Sequence, residues 1–275
     1  MKKIIESKNI KGCRNKYAMT TFVKKAVAFT LAETLIVMGI IGIVSALTLP
    51  NLNSSTGEKE KVAKVKKIYQ NLTDALGRAE AVYGPVNEWL ASSYDIAQAE
   101  NRFKERMTDF MKISKDCGRT TTGCIPNVTY KDLSGSDAEN VYSNGDQKVL
   151  LADGTAMDIR LGSLDCTDSN KEASDTDSPI SKSCGYVIVD IDGTKGANTF
   201  GKDMFYFYIT ADGIYPFGTK YDIYGKDNNA LKENCFAVGG CSGWIIENGN
   251  MDYLKVTEGK CSNGTILSWE NTTCK

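Results

Sequence analysis

The stretch from Phe29 to Leu49 reads FTLAETLIVMGIIGIVSALTL, 21 residues with a single charge, Glu33. As a helix rising about 1.5 Å per residue it spans about 30 Å, the thickness of a bilayer's hydrocarbon core. A secretory signal core runs about 7–15 apolar residues and ends at an A-x-A-like site, so this run is too long for one, and its charge sits at its start. An acid inside an apolar helix is costly and calls for a partner, although a carboxylate close to a helix N-terminus is also favoured by the dipole.

Charge divides around this run. Residues 1–28 hold Lys2, Lys3, Lys8, Lys11, Arg14, Lys16, Lys24 and Lys25 against Glu6, a balance of +7. Residues 29–116 hold 11 basic and 11 acidic side chains, and residues 117–275 hold 14 and 22, a balance of −8. A basic tip ahead of an apolar span keeps the N-terminus in the cytoplasm. The acidic C-terminal part repels phosphate backbones, so no nucleic acid is expected as a partner. The chain has no histidine, which removes Ser-His-Asp and Cys-His catalysis and His-containing metal sites.

Of nine cysteines, Cys13 alone precedes the run. The other eight follow it, an even number on one side of a membrane segment, and read as four disulfides in an oxidising compartment. No CxxC pair is present, which argues against a thiolate metal site. Loop-closure entropy favours sequential neighbours among the 105 connectivities: Cys117–Cys124, Cys166–Cys184, Cys235–Cys241 and Cys261–Cys274.

Lys24-Lys25-Ala26-Val27-Ala28, then Phe29-Thr30-Leu31-Ala32-Glu33, then the apolar run, resembles the N-terminus of type IV pilins and type II secretion pseudopilins. The resemblance covers about residues 24–53. It implies that prepilin peptidase cleaves between Ala28 and Phe29 and N-methylates Phe29, that Glu33 is the fifth mature residue, and that Gly42 and Pro50 occupy two further family positions. Ala28 departs from the family, which usually has glycine there. The resemblance also implies that Glu33 meets the terminal amine of a neighbouring subunit in a staggered helical bundle. At low dielectric that pair selects register, because either charge alone is heavily penalised. Gly39 and Gly42 allow close helix approach, and Pro50 permits a kink or local melting. The implied partners are prepilin peptidase, other pilin or pseudopilin subunits with their assembly machinery, and the membrane through Phe29–Leu49. The implied location is the bacterial cytoplasmic (inner) membrane, single-pass with the N-terminus inside and the head periplasmic or extracellular.

The expected fold is α+β: a long N-terminal helix, transmembrane then amphipathic, carrying a disulfide-rich and mostly antiparallel β head. The organisation is a basic leader over 1–28, the transmembrane and assembly helix over 29–49, an amphipathic helical stalk over 50–116 and a β-rich head over 117–275. Asn51–Gly57 interrupts the helical pattern, which resumes with Val62, Val65, Ile68, Leu72, Ala75, Leu76, Ala79 and Val82 at a 3–4 spacing and stops at Gly84-Pro85. The dense lysines between Lys59 and Lys67 suit a solvated face or anionic headgroups. A second amphipathic helix is expected over Tyr94–Ile113, with Ile96, Phe103, Met107, Phe110 and Met111 inward. Hairpins are expected at Asp153-Gly154, at Asp212-Gly213, and at Glu247–Asn250 between Trp244–Ile246 and Met251–Leu254. Tyr186–Val189 and Phe205–Ile209 read as strands, and 164–183 as an exposed loop.

Asp190, Asp192, Asn198 and Asp203 place oxygen donors on a glycine-rich loop between two strands, which suits Ca²⁺. The same residues also suit an Asx-rich turn. The loop is no EF-hand, since Gly201 stands where that motif needs its distal acid, and Lys195 and Lys202 compete for the charge. No cofactor is required by the rest of the chain.

The leading expectation is a non-enzymatic structural subunit of a pilus or secretion pseudopilus. The alternative is a membrane-anchored, adhesin-like binding protein on a pilin stalk, with calcium dependence from the same loop. An enzyme is disfavoured by the absence of histidine and of a GxSxG motif, although a pair of carboxylates is all a glycosidase needs. Envelope-associated protein is expected to begin at N-methylated Phe29, read by intact-mass and N-terminal sequencing. A Met1 terminus in assembled material would contradict it.

Overall fold

The structure, a computed structural model, describes residues 31–138, 145–167, 170–193, 195–196, 198–236 and 241–274, with the side chains of 45–56 excepted. The leader, Cys13, Ala28 and Phe29 lie outside the described residues. The chain divides into two compact units, one up to Pro50 and one from Asn51 onward.

Helix α1 is Leu31–Tyr83, so the helix passes through Pro50 and through the Asn51–Gly57 segment where a break was expected. Asparagine, serine and threonine cost only a fraction of a kcal/mol each in a helix, and such propensities are overridden when both flanks are strongly helical. Among the described residues no helix is long and apolar enough to cross a membrane. The described side chains of the apolar run end at Val44, and Phe29, Thr30 and Ser45–Leu49 fall outside them.

In the second unit, Val65, Ile68, Leu72, Ala75, Leu76 and Ala79 form the buried stripe of α1. Val82, expected to extend it, is 63% exposed. Gly84 at φ +86° caps the helix, its N–H donating to Glu80 O at 2.9 Å, and Pro85 prevents continuation. Two helices follow instead of one: α2 (Val86–Ala91), which periodicity did not reveal, and α3 (Ile96–Thr108). Asp95 caps α3, accepting from Gln98 N–H at 2.8 Å, so Tyr94 stays outside it and is 90% exposed. Phe110 and Met111 lie beyond the helix and are half-buried.

Six strands then form one antiparallel sheet: β1 (Ile113–Gly118), β4 (Gln147–Leu151), β5 (Ala156–Leu161), β6 (Ser183–Asp190), β7 (Met204–Thr210) and β8 (Gly213–Pro216), in the order β1-β4-β5-β6-β7-β8. A small hairpin, β2 (Tyr130–Lys131) and β3 (Asp137–Ala138), stands apart. The Asp153-Gly154 and Asp212-Gly213 hairpins form as the turn residues dictate. The fold is therefore α+β with a mostly antiparallel sheet.

Strand alternation splits the side chains between two clusters. Val149, Leu151, Met157, Ile159, Val187, Val189, Phe205, Phe207 and Ile209 share the main core with the α1 stripe and with Phe103 and Met107 of α3. On the opposite face Ala156, Ile188 and Met204 join Cys124, Ile125, Tyr130 and Phe200 in a smaller cluster. After β8 the chain is helical: α4 (Asn228–Ala230) runs into a π turn over Leu231–Cys235, and α5 (Ser242–Asn248) precedes a 3₁₀ turn over Asp252–Lys255. The hairpin expected between Trp244 and Leu254 is thus a helix and a turn. Gly249, at φ +68°, is the left-handed cap of α5 rather than a hairpin residue, its N–H donating to Ile245 O at 2.9 Å.

The disulfides are Cys117–Cys124, Cys166–Cys184, Cys235–Cys241 and Cys261–Cys274. The 164–183 loop is only partly exposed, since Cys166, Ser178 and Ile180 are buried.

One ion pair lies fully inside the sheet. Lys148 and Asp158 are cross-strand partners on the face opposite α1, with Nζ 3.1 Å from Oδ1 and no exposure of either side chain. Arg160 reaches both Asp158 at 2.9 Å and Asp146 at 2.9 Å. Lys148→Met is expected to cost about 1–3 kcal/mol in urea unfolding, because Asp158 loses one of its two ion-pair partners and keeps Arg160. Adding Asp158→Leu should return much of that loss, and a double-mutant cycle reads the coupling.

Candidate functional site

Two regions carry the residues singled out by the sequence, and they lie in different units. In the first, Glu33 sits in the opening turn of α1. All side chains from Leu31 to Val44 are exposed, including Leu31, Leu35, Ile36, Val37, Met38, Ile40, Ile41, Ile43 and Val44 at 53–80%. Among the described residues a Cβ added at Gly39 or Gly42 would meet nothing within 4 Å. Pro50 lies within α1, its side chain outside those described.

The second region is the connection from β6 to β7, on the sheet face opposite α1. Asp190 ends β6 and pairs with Met204, the first residue of β7. This register buries Asp190 completely, and Asp203 is buried just as fully. Asp190 Oδ1 accepts from Gly193 N–H at 2.8 Å and from Asp192 N–H at 3.2 Å. Asp203 Oδ1 accepts from Thr199 N–H at 2.6 Å. The Asx turn that the sequence suggested is therefore present, but it uses one oxygen of each acid.

Other oxygens of the loop are left over. Asp190 Oδ2, Asp192 Oδ1 and Asn198 Oδ1 are buried and have no hydrogen-bond partner. Burial, followed by the neighbouring charges of Asp192 and Asp203, pushes the Asp190 carboxyl up to about 8. Asn198 is buried with φ +46°, its Nδ2 donating to Gly196 O at 3.4 Å. Lys195 and Lys202, expected to compete for the acids, are exposed and form no ion pair among the described residues.

Sequence reasoning missed two members of this region. Tyr130 of β2 is buried against the acids, and burial together with the charges of Asp190 and Asp203 raises its pKa. The strand is tied to the loop by Lys131 N–H donating to Asn198 O at 3.1 Å and Phe200 N–H donating to Lys131 O at 2.9 Å. A two-residue strand sixty positions away leaves no periodic signal. Gly196, at φ +90°, is the other member: a Cβ there would lie 2.4 Å from Asp192 Oδ2.

Among the described residues no group of three or more His, Cys, Asp and Glu side chains is placed to hold a metal ion.

Gly196→Ala is expected to destabilise the fold by about 1–2 kcal/mol through its left-handed backbone, and further through the crowding of Asp192. Gly154→Ala is the control, because Gly154 shares φ +90° and a Cβ there meets nothing within 4 Å. Chemical unfolding of both variants should place Gly196→Ala below Gly154→Ala. Equal losses would mean that the Asp192 carboxylate is free to move aside.

No family model, curated protein or solved structure matches this chain.

Proposed function

We propose that this protein is a prepilin-like structural subunit of a type IV pilus or type II secretion pseudopilus, processed by prepilin peptidase at Ala28-Phe29 and assembled through its N-terminal helix. The observation that carries the reading is the helix from Leu31 to Val44, whose nine large apolar side chains are all exposed. Nine large apolar side chains left in water forgo on the order of 15 kcal/mol of burial at about 1.5–3 kcal/mol each. Such a segment belongs in lipid before assembly and among other helices after it. The run Phe29–Leu49 has the length for the first role, and its basic leader sets the N-terminus inside.

Gly39 and Gly42 support the second role. They lie three residues apart, on neighbouring positions of the helix, and among the described residues a Cβ at either would meet nothing within 4 Å. Small residues on a helix surface let helix backbones approach closely where there is no hydrophobic drive between helices. Glu33 adds the register. It is the only charge of the run, and four residues before it the peptidase would create a new amine on Phe29. In a staggered bundle the amine of one subunit neutralises the Glu33 of another, and a misregistered pair leaves two charges in a medium that penalises both. The head, with its four disulfides, is suited to the oxidising side of the membrane.

Glu33→Leu should leave insertion and cleavage intact, because the helix only becomes more apolar, and should reduce incorporation into filaments at least tenfold, the effect of losing about 1.4 kcal/mol or more of register-selecting interaction. Immunoblots of sheared filaments against the membrane fraction measure it. Wild-type incorporation of the variant would leave Glu33 as an interfacial acid and sink its assembly role.

A further inference from the structure

We propose that the β6–β7 connection is a Ca²⁺ site, formed by Asp190, Asp192, Asn198 and Asp203, that fastens the small hairpin at Tyr130–Lys131 to the sheet. The inference concerns the head alone and does not rest on the pilin reading.

Three buried oxygens without hydrogen-bond partners point to a ligand. Leaving a buried carboxylate or amide oxygen unsatisfied costs about 1–3 kcal/mol, more for a charged group, so three in one loop are not expected without a compensating group. Asp190 Oδ2 is wholly buried, and Asn198 Oδ1 belongs to a side chain only 6% exposed. The members are near one another. The Asp192 N–H donates to Asp190 Oδ1 at 3.2 Å and the Ile191 N–H donates to Asp203 O at 2.8 Å, which sets the three acids side by side along the backbone. Asp192 lies over Gly196, and the Asn198 amide donates to the Gly196 carbonyl. Backbone donors already hold the inner oxygens of Asp190 and Asp203, which fixes the carboxylates as a preorganised cradle.

The chemistry of the donor set selects the ion. Every donor is a hard oxygen, three carboxylates and one amide, and no nitrogen or sulfur is available. Magnesium demands near-ideal octahedral geometry and keeps its waters, whereas calcium accepts six to eight oxygens in irregular arrangements, so a loop of this kind suits calcium. Among the described residues the three acids do not stand as a ready group of three, and Asp192 is the half-buried member of the set. Since the same loop hydrogen-bonds both sides of Lys131, the ion would brace the segment that follows the Cys117–Cys124 disulfide.

The competing way to relieve these acids is a proton shared between Asp190 and Asp192, with no ion at all. The two are separated with the full-length protein in detergent at pH 7.5, stripped with chelator and titrated with CaCl₂, MgCl₂ or TbCl₃. Calcium a hundredfold above its Kd is expected to raise Tm on the order of 5–10 °C by mass action. Terbium luminescence, excited through tyrosine with Tyr130 beside the acids, should appear and be displaced by calcium. Asp190→Asn keeps the Oδ1 acceptor for the backbone, so it should fold, melt at or above wild type without calcium, and bind calcium about tenfold or more weaker. Asn198→Gly keeps the left-handed backbone and should weaken binding in the same direction. A Tm unmoved by millimolar calcium, an equal response to magnesium, or an undiminished response in Asp190→Asn would overturn the site.

Discussion

The head depends on one stripe of α1. Val65, Ile68, Leu72, Ala75, Leu76 and Ala79 recur every three or four residues, and they give the antiparallel sheet a surface on which to bury its inner side chains. Tyr69 extends the stripe by stacking on Phe207 of β7 at 5.8 Å between ring centroids. The alternation of β4 to β7 only makes sense against such a surface. Val149, Met157, Val187 and Phe205 turn inward at every second position, and α2 and α3 close the remaining flank through Trp89, Leu90 and Phe103. Alanine at 75 and 79 lets the sheet come close, since a larger side chain at either would displace the strands above it.

Register in that sheet is guarded by charge as well as by shape. Lys148 and Asp158 face each other across β4 and β5 on the outer side, with Arg160 and Asp146 completing the network. A slip of one residue in β4 would turn Lys148 into the apolar core and leave Asp158 on the outer face without it. The pair adds little net stability compared with an apolar replacement, but it penalises wrong pairings heavily.

How much of this could be read from the residues follows from the range of the interactions. The β4–β5 and β7–β8 hairpins were legible because Asp153-Gly154 and Asp212-Gly213 are local turn chemistry between apolar runs. The disulfide pairing followed from short loops. The segment at Trp244–Leu254 misled because β-branched and aromatic residues flank an Asn-Gly, the ordinary hairpin signal. Trp244 and Ile245 are instead buried by a short helix that Gly249 caps. The α2 helix was invisible since six residues are too few to show a period. Of the loop acids, the types and the order were legible, but their burial was not: it comes from Asp190 pairing with Met204 and from Tyr130 arriving from far away in sequence.

The two faces of the sheet explain why the outer side needs fastening. The inner face buries a large continuous core, and the outer face has a much smaller cluster around Cys124, Ile125, Tyr130 and Phe200. A cluster of that size supplies little burial energy to hold the segment that carries β2 and β3. That stretch is secured instead by the Cys117–Cys124 bond, by the backbone bonds on either side of Lys131, and by the Arg119–Glu100 pair at 2.7 Å, in which the Glu100 side chain is only 3% exposed. Covalent, backbone and ionic ties take the place of apolar area there. A cation drawing Asp190, Asp192 and Asp203 together would act in the same way and at the same point. It would convert an electrostatic liability of the β6–β7 loop into the strongest remaining tie between that loop and the segment it covers.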